Sequence, residues 1–118
     1  MKHLSHSKKK FHRETGQRRA FMRGLANNVI RRGKVTTTVV RAKAIRPVVE
    51  HAVTIAKKET LASRRILESR FHDKEVVEKL MRDLGPRYKT RPGGYTRIIK
   101  TGKVRKRDGV ATAIIEFV

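Results

Sequence analysis

Apolar positions in residues 15–32 recur with the 3.6-residue period of an α-helix. Thr15 can cap the N-terminus of this helix, and Gly33 is a typical stop signal just after its end. One side carries Phe21, Met22, Leu25, Ala26, Val29 and Ile30, and the other carries Arg19, Arg23, Asn27 and Arg31. The pattern therefore predicts an amphipathic helix with one face in the core and one cationic face.

The next segments predict a short strand followed by a long helix. "KVTTT", residues 34–38, is rich in β-branched residues, which favour strands. Thr37 or Thr38 can cap a helix over residues 39–58, whose shared apolar face consists of Ala44, Ile45, Val48, Ala52 and Ile55. Pro47 lies inside this helix, where it removes a backbone donor and crowds the preceding turn. We expect a kink there, or a helix that restarts with Pro47 at its first position.

Two further helices are predicted in the middle of the chain. Thr60 opens "LASRRILESRF", and Asp73 caps "KEVVEKLMRDL". The second of these helices is expected to stop at Gly85-Pro86, because this pair combines a turn residue with a residue that cannot continue a helix.

The last part of the chain predicts a β-hairpin. "YTRIIKT" and "ATAIIEFV" alternate in side-chain direction, and Ala113, Ile115 and Phe117 share one face of the second strand. The link "GKVRKRDG" carries four cations and an Asp108-Gly109 turn signal. The predicted order of elements is α-β-α-α-α-β-β, which is an α+β fold.

The net charge of the chain indicates the class of partner that it binds. The 118 residues carry 31 Lys and Arg against 10 Asp and Glu, a net charge of +21. Such a charge repels itself in a compact chain unless a polyanion compensates it, and nucleic acid is a commoner source than an anionic membrane. No apolar run approaches the ~20 residues of a spanning helix, and no secretory signal is seen. The chain has no cysteine, which excludes a disulfide scaffold and a thiolate metal site.

The charge is concentrated in particular segments. Residues 15–49 and 84–107 contain no acid, whereas residues 50–83 mix both signs almost evenly. The acid-free segments are typical of surfaces that meet a polyanion. The mixed segment predicts a face, carrying Glu75, Glu78 and Asp83, that points to solvent or to a protein neighbour.

Catalytic and metal chemistry find little support in the sequence. Neither G-x-x-x-x-G-K-[ST] nor a G-x-G-x-x-G after a strand is present. His3, His6 and His12 are the only clustered histidines, and they lie in an aperiodic tail that offers no fixed ligand geometry. We therefore expect no enzyme activity, no metal and no cofactor.

The segment "LGPRYKTRPGGYTRIIK" contains both tyrosines of the chain beside adjacent glycines and arginines. Gly93 and Gly94 allow turns that other residues cannot form. Arg91 and Arg97 can fork onto phosphate oxygens. Tyr88 and Tyr95 can stack on unpaired bases or donate a hydroxyl hydrogen bond to phosphate or sugar. For Tyr95, a ring packed in the core after a Gly-Gly turn is the alternative.

This segment also carries a family resemblance. "LGPRY…RPGGYTRI" resembles the most recognisable segment of the bacterial large-subunit ribosomal protein L-seventeen family. "KVTTT…RAKAIRPVVEHAVTIAKK" is similar to that family's Thr-Thr-Thr segment and following helix, "LASRRIL" to a further segment, and "AIIEFV" to its last strand. The basic start is similar too, although Gln17-Arg18 and Arg23-Gly24 replace the His-Arg and Arg-Asn pairs that the family tends to have. The match covers essentially the whole chain in order.

The resemblance implies a two-layer α+β fold, with helices on one face of a small three-stranded mixed sheet. It implies a structural protein of the large ribosomal subunit, located in the cytoplasm within the ribosome, that supports subunit assembly and translation. Its expected partners are ribosomal RNA and neighbouring large-subunit proteins, with no membrane and no small-molecule substrate. We expect residues 1–14 to be a basic extension that orders only on RNA, and residues 15–118 to be one RNA-binding domain.

The candidate RNA-binding residues come mainly from the basic segments. They are Lys2, His3, Lys8, Lys9, Lys10, Arg13, Arg18, Arg19, Arg23, Arg31, Lys34, Thr37, Lys43, Arg87, Arg91, Gly93, Gly94, Tyr95, Arg97, Lys103, Arg105 and Arg107. Contacts are expected to phosphates, 2′-hydroxyls and unstacked bases, because the deep major groove of RNA hides its base edges.

Two other functions remain possible from the sequence. A DNA-binding nucleoid or regulatory protein would bind duplex DNA comparably, but no clear helix-turn-helix signal is present. An RNA-modifying enzyme would need a cofactor loop, which the sequence does not show.

Overall fold

The computed structural model describes residues 15–118 as four helices and three strands in the predicted order. These elements are α1 (Thr15–Arg32), β1 (Lys34–Thr38), α2 (Val39–Ala56), α3 (Leu61–Phe71), α4 (Lys74–Lys79), β2 (Thr96–Val104) and β3 (Ala111–Phe117). The α+β class is confirmed. The predicted extension lies outside the described residues, and so do its candidate contacts and histidines: Lys2, His3, His6, Lys8, Lys9, Lys10, His12 and Arg13.

The three strands form a sheet in the order β1-β3-β2, and both neighbouring pairs are antiparallel. The expectation of a mixed sheet is therefore wrong. The short link between β2 and β3 requires an antiparallel hairpin, and β3 also runs against β1. β1 and β2 consequently point the same way at opposite edges, where they are not bonded to each other. Ala113 and Ile115 of β3 are buried, as the alternation predicts.

Side-chain caps start three of the helices where the sequence places them. The Thr38 hydroxyl accepts from Arg41 N at 3.1 Å at the start of α2, and the Thr60 hydroxyl accepts from Ser63 N at 3.0 Å at the start of α3. Asp73 Oδ1 accepts from the backbone N–H groups of Glu75 and Val76, the second and third residues of α4, at 3.0 and 3.2 Å. Each cap satisfies donors that a helix cannot pair internally, typically a contribution of about 1 kcal/mol.

Helix α2 departs from the predicted pattern in two respects. It is a continuous helix of 18 residues through Pro47, so the predicted restart is wrong. Pro47 lies on the exposed side, where solvent can satisfy the carbonyl that its missing N–H leaves unpaired. The buried arc also differs from the predicted face, because α2 packs on the sheet and on the other helices at once. Val48 is 36% exposed, and the buried residues are Ala42, Ile45, Val49, Ala52, Val53 and Ala56.

The predicted stop at Gly85-Pro86 is also wrong. α4 continues through a π-helical turn, Leu80–Leu84, into a last helical turn, Gly85–Arg87. A Cβ at Gly85 would lie 2.8 Å from the backbone oxygen of Ala56, so the glycine allows this helix to cross the end of α2 closely. Among the described helices, none is long and apolar enough to span a membrane.

Candidate nucleic-acid interface

The segment between α4 and β2 is anchored by its two tyrosines, which are both buried. Tyr88 is 4% exposed and Tyr95 is 1% exposed, and their ring centroids lie 5.4 Å apart. The hydroxyl of Tyr88 donates to the carbonyl of Val118. A buried ring cannot stack on a base, so the base-stacking interpretation is wrong for both tyrosines. The alternative, in which Tyr95 is a core ring, is confirmed.

Lys57 of α2 ties this segment to the helix. Its Nζ donates to the Tyr95 hydroxyl at 3.0 Å and to the backbone carbonyl of Arg91, while Thr54 lies 3.2 Å from the same hydroxyl. Burial disfavours the phenolate of Tyr95, but the bonds from Lys57 and Thr54 outweigh burial and hold its pKa below the ordinary value. Lys57 is therefore engaged by groups of the protein itself.

The adjacent glycines form a loop that Arg91 closes from within. The Nε of Arg91 donates to the carbonyls of Gly93 and Gly94, both at 3.2 Å. Gly94 has a φ of +63°, a backbone conformation that residues other than glycine rarely adopt. The predicted role in shaping the backbone agrees with this geometry for Gly94, whereas Gly93 has no positive φ. Part of the Arg91 guanidinium that was predicted to bind phosphate instead holds the loop.

Four other candidate cations lie in ion pairs within the protein. Arg97 bonds Glu116 across the β2–β3 ladder with nitrogen–oxygen distances of 2.7 and 2.6 Å. Arg31 pairs with Asp73 and Glu75, Arg87 with Asp83, and Arg105 with Asp108. Arg87–Asp83 and Arg105–Asp108 are local pairs at i,i+4 and i,i+3. Arg31–Asp73 and Arg97–Glu116 join positions 42 and 19 residues apart, and sequence spacing carries no signal for them.

Every Asp and Glu within residues 15–118 lies in such a pair. The remaining pairs join Glu50 to Arg46, Glu59 to Lys89, Glu68 to Arg64, and Glu78 to both Arg64 and Arg82. Most of these pairs are solvent-exposed, so each contributes only about 0–1 kcal/mol to stability. Their consequence is electrostatic: in the described part of the chain, each carboxylate that could repel a polyanion has a cation beside it.

The exposed cations whose side chains form neither an ion pair nor a hydrogen bond among residues 15–118 make up a second group. It consists of Arg19, Arg32, Lys34, Lys43, Lys58, Arg65, Arg70, Lys74, Lys100, Lys103, Lys106 and Arg107. Arg23 is also unpaired but half-buried, and Arg18 and Thr37 are half-buried. Seven of these exposed cations were not among the candidates from the sequence: Arg32, Lys58, Arg65, Arg70, Lys74, Lys100 and Lys106. A count of pairs at i,i+3 and i,i+4 would have indicated only some of them.

The unpaired cations occupy three regions. Arg19, Arg23 and Arg32 lie on α1, with Lys34 at the start of β1 and Lys43 on α2. In a second set, Lys58 precedes α3, Arg65 and Arg70 lie on α3, and Lys74 begins α4. The third set, Lys100, Lys103, Lys106 and Arg107, lies on the β2–β3 hairpin. Within residues 15–118, no group of three or more His, Asp or Glu side chains could hold a metal ion.

Comparison with known proteins gives consistent matches over most of the chain. A family model described as ribosomal protein L17 matches residues 21–118. Three curated relatives carry the name large ribosomal subunit protein bL17. The relative from Bdellovibrio bacteriovorus is 53% identical over 110 residues, which are 93% of this chain and 60% of that protein. The relatives from Persephonella marina and Sulfurihydrogenibium sp. are 50% and 46% identical over 93% of this chain, and the matches cover 90% and 91% of those proteins.

Proposed function

Because the chain belongs to the ribosomal protein L17 family, we propose that it is a structural constituent of the large ribosomal subunit that binds ribosomal RNA. The family resemblance seen in the sequence is confirmed. The relatives are named as ribosomal proteins, so the prediction that the chain is not an enzyme is confirmed too. The chain spans 60% of the length of the Bdellovibrio relative, and the proposal concerns the part that this chain contains.

The pairing of the acids is the observation that supports RNA binding most directly. Each described carboxylate lies in an ion pair with a cation of the protein, while many exposed cations have no partner among the described residues. The excess charge is thus carried by side chains that are free to meet phosphates. A surface of this kind attracts a polyanion and releases its counterions on binding.

The cations divide between two roles in this proposal. Unpaired cations on α1, β1, α2 and the hairpin contact phosphates and sugars: Arg19, Arg23, Lys34, Lys43, Lys100, Lys103, Lys106 and Arg107. Paired candidates hold the shape of the surface: Arg31, Arg87, Arg97 and Arg105. Gly93, Gly94 and Arg91 fix the loop before β2. Recognition relies on phosphate spacing and RNA shape, because every Phe and Tyr ring within residues 15–118 is buried or half-buried.

The face of α3 and α4 that contains Glu78 has a different character. Glu78 bonds both Arg64 and Arg82, and Asp83 bonds Arg87 at 3.0 and 3.1 Å. This local balance of charge supports the assignment of the face to solvent or to a neighbouring ribosomal protein. The protein would then act in the cytoplasm, within the ribosome, with RNA on its cationic surfaces.

Binding to deproteinised bacterial large-subunit ribosomal RNA, measured across a series of salt concentrations, tests the proposal. We expect the affinity to fall steeply as salt rises, with a slope set by the number of phosphate contacts. Duplex DNA of the same total charge is the control, and the RNA should bind more tightly at every salt concentration. Equal affinity for DNA, or failure of the tagged protein to sediment with the large subunit in a bacterial lysate, would contradict the proposed function.

A further inference from the structure

The loop of the β2–β3 hairpin is closed by one carboxylate. Asp108 Oδ1 accepts from Arg105 Nε and from the backbone N–H of Val110, both at 3.2 Å, and Oδ2 accepts from Arg105 Nη2 at 2.6 Å. Two backbone bonds complete the loop, from Arg105 N to Val110 O at 3.0 Å and from Gly109 N to Arg105 O at 2.8 Å. Gly109 has a φ of +67°, as this turn requires. The loop is therefore held by its own polar groups.

A bulge sets this loop apart from the rest of the sheet. The β2–β3 register shifts between Lys100 and Val104, and Gly102 in between has a φ of +78°. The hydroxyls of Thr101 and Thr112 lie 2.7 Å apart across the bulge, and Thr101 Oγ1 accepts from Lys103 N at 3.1 Å. Residues 102–109 are all exposed. A bulge bends and twists its strand, so it directs the hairpin end away from the regular ladder.

The charges of this hairpin end are almost all of one sign. Lys103, Lys106 and Arg107 are exposed and unpaired among the described residues, whereas Arg105 is committed to Asp108. Both oxygens of Asp108 are in turn occupied by donors of the loop. These donors and the positive charge of Arg105 hold the pKa of Asp108 below its ordinary value. Asp108, the only acid among residues 102–109, thus stabilises the conformation of the loop.

We propose that the hairpin beyond Gly102 is a preformed RNA-binding arm, in which Asp108 positions the loop so that Lys103, Lys106 and Arg107 meet phosphates. This inference rests on the proposed function and assigns it to one element. RNA is the occupant because three unpaired cations on a short loop complement the closely spaced charges of its backbone. A loop that is already ordered loses less conformational freedom on binding than a flexible one, so its contacts retain more of their energy.

Substitution of Asp108 tests the arm, because the loss of its charge and the loss of its positioning role predict opposite changes in RNA affinity. Asp108→Ala removes a negative charge, so electrostatics alone predicts tighter binding to ribosomal RNA. If Asp108 positions the arm, the variant should instead bind about five- to tenfold more weakly, as expected for the loss of charge-assisted hydrogen bonds. Glu75→Ala is the matched control, because it removes the same charge from a side chain that is 82% exposed on α4.

Two further measurements separate positioning from a general loss of structure. Asp108→Asn keeps an acceptor for Val110 N–H, so it should recover part of the affinity that Asp108→Ala loses. Amide exchange at Gly109 and Val110 in the free protein should accelerate in Asp108→Ala while exchange in α2 stays unchanged. Binding by Asp108→Ala that is equal to or tighter than wild type, in line with Glu75→Ala, would overturn the inference.

The arm itself is tested by removing its cations. The triple variant Lys103→Gln, Lys106→Gln, Arg107→Gln should lower the slope of log affinity against log salt by roughly 2 to 3, or about 0.7–0.9 per phosphate contact. The control triple Lys58→Gln, Arg65→Gln, Lys74→Gln removes the same charge from the region of α3 and should change the slope much less. Equal effects of the two triple variants on the slope would contradict the proposed RNA-binding arm but not the proposed function. Absence of salt-dependent RNA binding by the wild type would overturn both.

Discussion

The carboxylate of Glu50 accepts hydrogen bonds from both the backbone N–H and the hydroxyl of Thr96. The distances to Glu50 Oε2 are 3.1 Å from the nitrogen and 2.7 Å from the hydroxyl. Arg46 completes the contact, since it donates to Glu50 at 3.4 Å and to the carbonyl of Thr96 at 3.2 Å. Two residues one turn apart on α2 thus fix the first residue of β2, directly after the glycine loop.

We predict that Glu50→Gln will lower the free energy of unfolding at pH 7 by about 1–3 kcal/mol, the range for hydrogen bonds to a charged group. Burial alone would raise the pKa of Glu50, but the bonds from Thr96 and Arg46 outweigh it and hold the pKa below its ordinary value of 4.5. A depressed pKa means that this stabilisation is complete above pH 4.5 and is lost as the pH falls through the lower value of the folded state.

Urea unfolding at pH 7 and at pH 3 measures this effect. The difference between wild type and Glu50→Gln should be smaller at pH 3 than at pH 7. Glu75→Gln is the control, because its side chain is 82% exposed and its effect should stay within about 0.5 kcal/mol at both pH values. A difference between wild type and Glu50→Gln that does not change with pH would contradict the assigned role of the ionised carboxylate.

We predict opposite effects for the same substitution at two helical glycines. Gly85→Ala should destabilise the protein by about 1–3 kcal/mol, because its Cβ would lie 2.8 Å from Ala56 O and 3.0 Å from Leu80 O. Gly24→Ala should stabilise it by about 0.5–1 kcal/mol, since alanine favours a helix and the Cβ would meet nothing within 4 Å. Thermal unfolding of both variants checks the prediction. A stabilising Gly85→Ala would show that the contact with the end of α2 can relax.

Local features of the fold could be predicted from the sequence, and long-range ones could not. Thr38, Thr60 and Asp73 cap the helices that they precede, because a cap depends on a few consecutive residues. Gly85 shows where such local logic fails. It was interpreted as a stop signal, yet its lack of a side chain serves the crossing of two helices whose contact involves Ala56, 29 positions earlier.

The candidate interface shows the same limit. Charge counting locates the basic segments of the chain. It does not distinguish a cation in an ion pair from an unpaired one. Arg97 and Lys103 are both cations of β2, and the sequence makes both of them candidate RNA contacts. In the structure, Arg97 faces Glu116 across the sheet, whereas Lys103 has no side-chain partner among the described residues. Register and helix packing decide these pairs, and both depend on the completed fold.

The glycine loop leads to a prediction about backbone conformation. Gly94→Val should lower the free energy of unfolding by about 1–3 kcal/mol, because Gly94 has a φ of +63°. Gly93→Val is the matched control: the adjacent residue has no positive φ, and a Cβ there would meet nothing within 4 Å. Its effect should stay within about 0.5 kcal/mol. Equal losses in urea unfolding would contradict a role for the left-handed conformation.

The last prediction separates the scaffold from the interface. Tyr95→Phe removes the hydroxyl that bonds Thr54 and Lys57 inside the protein. It should lower the free energy of unfolding by about 1 kcal/mol and leave the salt dependence of RNA binding unchanged, since the ring is buried. Lys106→Gln should do the reverse, because an exposed and unpaired cation contributes little to stability but releases a counterion on binding. Urea unfolding gives the stability of each variant, and RNA binding across salt concentrations gives its salt slope. A change in the salt slope of Tyr95→Phe without a change in stability would mean that the hydroxyl reaches the RNA, and that the loop opens when the protein binds.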